Sequence, residues 1–81
     1  LGESSVLTLN MRSLYAVALY KDAAATLDDV REAVTTLEDA GRIARRVLGG
    51  AHPTTMDIEG ALQTAQTHLR VRESQSASGS S

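Results

Sequence analysis

Histidine, carboxylate and arginine side chains are the first groups in this chain to weigh for a reactive or ligand-binding centre. The two histidines are His52 and His68, and there is no cysteine. A metal ion needs several N, S or O donors converging on one point. His52 belongs to a turn and His68 to a polar helix face, so no metal site is expected. Asp28-Asp29 and Glu38-Asp39 are acid pairs. Adjacent residues on a helix point about 100° apart, so neither pair can share a substrate atom, and a cap or a solvated face is expected instead. Gly49-Gly50 is followed by no Lys-Ser/Thr and closes a helix, unlike a phosphate loop, which opens one. Arg42, Arg45 and Arg46 suit the negative end of a helix, with an acidic partner as the alternative. Tyr20 and Lys21 could contact a ligand, or Tyr20 could pack under the turn that follows it. No nucleophile is paired with a base. The expectation is no catalytic residue, no cofactor, no metal and no enzymatic activity.

The composition narrows the class further. The 81 residues include two Tyr, no Phe and no Trp, and carry a formal charge of −2. A chain of that size makes one small domain with a modest core, rich in Ala, Leu and Val and marginally stable without partners. Interleaved acids and bases with a net negative sum argue against nucleic acid, which demands a basic face. No apolar run approaches the roughly 18 residues of a membrane span. The lack of cysteine rules out a disulfide framework and fits a reducing, intracellular compartment, with cytoplasm and organelle not distinguished. Leu1 falls inside the repeated motif described below, so these residues are expected to be a piece of a longer protein.

The elements that must position these groups read as three helices. The first is expected from Val6 to about Ala25, with Ser4 or Ser5 as N-cap and a core stripe of Leu7, Met11, Leu14 and Ala18, widened by Tyr15 and Leu19. The second is expected from Thr26 to Leu48. Thr26 and Asp29 have the spacing of a capping box, and Val30, Ala33, Leu37, Ala40, Ala44 and Val47 form the cleanest amphipathic stripe in the chain. Gly49-Gly50 ends it. Pro53 opens the third, with His52 or Thr54 near its cap, and Ile58, Ala61 or Leu62, Ala65 and Leu69 form its stripe. From Glu73 the chain is Ser-rich, and residues 73–81 are expected to be a disordered tail. Brief connections make the three helices antiparallel in order, and nothing reads as a strand.

The chain also repeats itself. Leu48-Gly49-Gly50-Ala51-His52-Pro53-Thr54-Thr55-Met56 repeats the opening Leu1–Leu9, with Leu1/Leu48, Gly2/Gly49 and Thr8/Thr55 identical and Ala18 matching Ala65. A recurring turn and helix start is the mark of a stacked helical repeat. These residues resemble a tetratricopeptide repeat (TPR) of the longer variety found in kinesin light chains. That family carries a Leu-Gly-x-x-His-Pro-x-Thr-Leu turn, which Leu48–Met56 follows with Met in the last place and Leu1–Leu9 follows in degraded form. Val30-Arg31-Glu32-Ala33 and Arg45-Arg46-Val47-Leu48-Gly49 resemble the start and end of the family's second helix. Ala16 to Tyr20 resembles its Leu-Ala-x-Leu-Tyr segment. The period is longer than the family's, the surplus is placed at Ala23–Leu27, and the usual inter-helix Gly is missing there.

The resemblance covers Leu1 to about Arg70 and implies about one and a half repeats, with residues 1–72 as the TPR-like unit. It implies a non-catalytic protein–protein interaction module that binds a peptide, a helix or a subunit. The partner-facing residues it implies are Asn10, Ser13, Val17, Tyr20, Lys21, Asp57, Thr64, Thr67 and His68, with Gly60 among them. The alternative function is a structural subunit, docked into a larger assembly through its Ala-rich faces with no cargo groove. Glu59, Gln63, Gln66 and Arg70 make a polar outer face suited to a terminal cap. Self-association or docking onto a larger complex is expected, because one and a half repeats supply few interfaces.

Overall fold

A capping box starts the central helix where the Thr26–Asp29 spacing requires it. The computed structural model describes the backbone of residues 2–80 and the side chains of residues 6–75. Thr26 Oγ1 accepts from the Asp29 N–H at 3.1 Å, and Asp29 Oδ2 accepts from the Thr26 N–H at 3.0 Å. Two donors that the first helical turn cannot satisfy internally are thereby matched. The chain forms three helices, α1 (Gly2–Lys21), α2 (Leu27–Val47) and α3 (Pro53–Ser80), and the described residues contain no strand.

α2 stops as its sequence dictates. Gly49 takes φ of 92°, and its N–H reaches back to the carbonyls of Ala44 and Arg45. A left-handed residue one step past the helix is the position where a side chain is costly and glycine is free. α3 then starts on His52. The His52 Nδ1 accepts from the Thr54 N–H at 3.1 Å, and the His52 carbonyl accepts from the Met56 N–H at 3.0 Å. His52 is therefore an N-cap, a structural task that also orients its ring.

The pairing between helices gives their directions. Arg12 meets Asp39 at 3.4 Å, and the Tyr15 hydroxyl donates to Glu32 at 2.9 Å. Numbers rise on α1 as they fall on α2, so the two are antiparallel. Arg31–Glu73 and Arg45–Glu59 show the same for α2 and α3. α1 and α3 therefore run parallel, and they touch each other as well as α2. The arrangement is a triangle of helices and not a flat row.

The core lies along the axis of that triangle. Leu9, Ala16 and Tyr20 come from α1, Val30, Ala33, Val34, Leu37, Ala40 and Ala44 from α2, and Ile58 and Ala65 from α3. Leu37 and Ile58 are fully buried. The alanines let the backbones approach closely. Gly41 of α2 belongs with them, since a Cβ there would lie 3.6 Å from Ile58 Cγ2. Leu48, Leu62 and Leu69 close the edges.

Three expectations need correction. α1 starts earlier and ends earlier than Val6–Ala25. The turn that follows it is Asp22–Thr26, with the Ala25 N–H donating to the Asp22 carbonyl at 2.9 Å. The expected α1 core stripe faces outward: Leu7, Met11, Leu14 and Tyr15 are 61, 61, 69 and 54% exposed, and Ala18 is exposed too. The helix has a second stripe, Leu9, Ser13, Ala16 and Tyr20, with the same i, i+4, i+7, i+11 spacing, and that one meets α2 and α3. Val47, expected in the α2 stripe, is exposed at the helix end, while Val34 is buried. Apart from these corrections, α3 runs from Pro53 to Ser80. The Arg72 guanidinium donates to the Ala25 carbonyl and Glu73 pairs with Arg31 at 3.5 Å, tying this end of α3 to the α1–α2 turn. The expected caps Ser4 and Ser5 and the tail side chains from residue 76 on lie outside the described side chains.

Candidate interaction surface

α1 is apolar on two opposite sides, and this shapes the whole surface. A helix buried on one face in a small domain ordinarily turns charge to water on the other. Here the outward side carries Leu7, Met11, Leu14 and Ala18 in one row, with Tyr15 beside them. Single exposed leucines are ordinary, but here the exposed apolar residues lie side by side along one face of the helix. Sequence reasoning found these residues but gave them to the core. The signal for the opposite choice was present in the rival stripe through Leu9, Ala16 and Tyr20.

The expected partner-facing residues fall along the side where α1 and α3 lie together. Asn10, Lys21, Asp57, Thr64, Thr67 and His68 are exposed, and Ser13 and Val17 are half-buried. Tyr20 is buried instead of presented, as expected if it packs under its turn. Its ring lies 5.0 Å from that of His68, centre to centre, tilted by 51°. Aromatic pairs favour tilted geometry at this distance, so the contact helps hold α1 to α3. Burial raises the Tyr20 phenol above its ordinary value of 10.0. The Thr64 and Thr67 hydroxyls donate back to the carbonyls of Gly60 and Gln63, at 3.2 and 3.0 Å. The face that remains is shallow and polar, and its strongest anchor is spent inside the fold.

A groove between α1 and α2 is lined by Arg12, Tyr15, Thr35, Asp39 and Arg42. Within it Arg12 pairs with Asp39, and the Tyr15 hydroxyl donates to Glu32. That bond raises the Tyr15 phenol, because ionising it would place a second negative charge beside Glu32. Of the three arginines near the end of α2, Arg45 donates to Glu59 through Nε at 3.0 Å, and Arg42 and Arg46 are exposed. On the polar outer side of α3, Gln63, Gln66 and Arg70 are exposed, and Glu59 is taken by Arg45. Among the described residues, no three His, Cys, Asp or Glu side chains gather as a metal site would require. No described helix is long and apolar enough to cross a membrane.

No protein-family model, curated protein or solved structure matches this chain.

Proposed function

We propose that this chain is a non-catalytic protein–protein interaction module, built as a helix-turn-helix repeat of the tetratricopeptide kind. The observation that carries the reading is the row of uncovered apolar residues on α1. In a chain with so few large apolar residues, leaving Leu7, Met11 and Leu14 in water forgoes burial worth about 1.5–3 kcal/mol each. A partner that covers them recovers it. The repeat of Leu1–Leu9 in Leu48–Met56 supports the tetratricopeptide assignment. The alternative, a structural subunit docked by Ala-rich faces, has less support. Ala16, Ala33, Ala40, Ala44 and Ala65 are consumed inside the chain's own core. The mixed polar face of Asn10, Lys21, Asp57, Thr64 and His68 flanks the α1 row and can supply the polar rim that such surfaces usually have.

The test is site-specific photo-cross-linking in cell extract with the cross-linker at Leu14, at Thr64 or at Gln63. Capture of a defined protein from Leu14, weaker capture from Thr64 and none from Gln63 is the expected pattern. Equal labelling from all three positions would refute an adhesive α1 row.

A further inference from the structure

We infer that the outer face of α1 pairs with the same face of a second copy of this chain, the two helices running antiparallel about a two-fold axis. This rests on the interaction-module reading and names the partner. Its first basis is spacing. Leu7, Met11, Leu14 and Ala18 follow one another in steps of four, three and four residues, a series that reads the same in both directions. Turned end for end and laid on its copy, the row coincides with itself. Leu7 then faces the partner's Ala18, and Met11 faces the partner's Leu14. A two-fold interface needs a patch that is its own complement, and this row sets a small residue against a larger one at each end.

Charge points the same way. From Leu7 to Tyr20 the one charged residue is Arg12, and it turns aside to meet Asp39 of α2 at 3.4 Å. A different protein is ordinarily steered and selected by charges of the opposite sign, and the row offers none to read. A copy meets no like charge across the row. Lys21 is exposed at the end of α1 and fixes the direction. A parallel pair would set the two lysines side by side, whereas the antiparallel pair holds them about 25 Å apart. Area sets the strength. Leu7, Met11, Leu14 and Tyr15 are each more than half exposed. At roughly 100 Å² apiece they cover about 400 Å² per copy. With Ala18 and the flanking Thr8 and Asn10, the pair buries on the order of 1,000 Å², the size of a weak, reversible interface. Its dissociation constant should be micromolar or weaker.

The natural chain has no cysteine, so introduced thiols report the register. Leu7→Cys and Ala18→Cys chains are oxidised mildly, each alone and then mixed. The mixture should link at least about tenfold faster than either variant alone, because identical positions lie about 16 Å apart in the antiparallel pair, beyond the reach of a disulfide. Sedimentation of the natural chain should pass from monomer towards dimer between about 1 μM and 1 mM. Leu14→Glu places a charge in the middle of the row and should weaken the dimer by about tenfold or more, with the circular dichroism spectrum unchanged. Leu14→Met should keep the dimer. A chain that stays monomeric throughout that range overturns the inference. So does Leu7→Cys alone linking as fast as the mixture, which marks a parallel or non-specific contact. In either case, capture of a different protein from Leu14 leaves the interaction-module reading standing. If the chain is monomeric and Leu14 captures nothing, both fall.

Discussion

Truncating two leucines, one at a time, separates the two faces that periodicity alone offered to the core. Leu37 is fully buried, midway along α2, in a core where five of the other ten residues are alanine. Leu37→Ala removes its isobutyl packing, and the neighbouring alanines have no flexible side chains with which to refill the hole. The cost should sit in the upper part of the usual Leu→Ala range, about 3–5 kcal/mol. A domain of this size has a total stability of roughly 4–12 kcal/mol. The melting temperature should therefore drop by at least about 12 °C, and the variant should be partly unfolded at physiological temperature. Leu14→Ala removes the same atoms from a side chain that is 69% exposed. It should cost less than about 0.5 kcal/mol, because the side chain packs on little and Ala is the better helix former. The assay is thermal and urea unfolding followed by circular dichroism, with both variants at equal concentration. A Leu14→Ala chain that melts as low as Leu37→Ala would show that α1 is turned over, with its expected stripe inside. The assignment of the α1 faces would then fail.

Three more perturbations probe the packing and the turns. Thr55 is fully buried and its Oγ1 has no hydrogen-bond partner among the described residues; Thr55→Val keeps the shape and should stabilise by about 1 kcal/mol, and a lower urea midpoint would reveal an unseen partner. Gly49→Ala should cost about 1–2 kcal/mol, all of it backbone strain at φ of 92°, since no atom lies within 4 Å of the new Cβ; an unchanged midpoint would mean the turn is not held left-handed. Burial raises the Tyr20 phenol, so the folded state favours its neutral form. That contribution is complete below the ordinary value of 10.0 and is lost as pH rises through the higher folded value. Stability measured at rising alkaline pH should fall more steeply for the natural chain than for Tyr20→Phe, and parallel curves would show the phenol is free to ionise.

The helix count, the turns and the α2 interface were legible in the sequence because each depends on near neighbours. Thr26 and Asp29 cap α2 across three residues, Gly49 ends it within one turn, and Leu37, Ala33 and Ala40 form a stripe with a single plausible orientation. Such features are local, and local chemistry is written in order along the chain. The orientation of α1 was not legible. Leu7-Met11-Leu14-Ala18 and Leu9-Ser13-Ala16-Tyr20 have identical spacing, and the first contains the larger aliphatic residues, so periodicity pointed to the wrong face. Tertiary packing chose the other one. The alanine-lined side of α2 admits close approach, and Ala16 with Leu9 fits against it while Tyr20 reaches His68 on α3. The same choice left the larger stripe in solvent. A helix with one apolar face has its orientation set by its own sequence. A helix with two apolar faces has it set by whichever neighbours it meets, and for α1 those neighbours are brought together only by the fold.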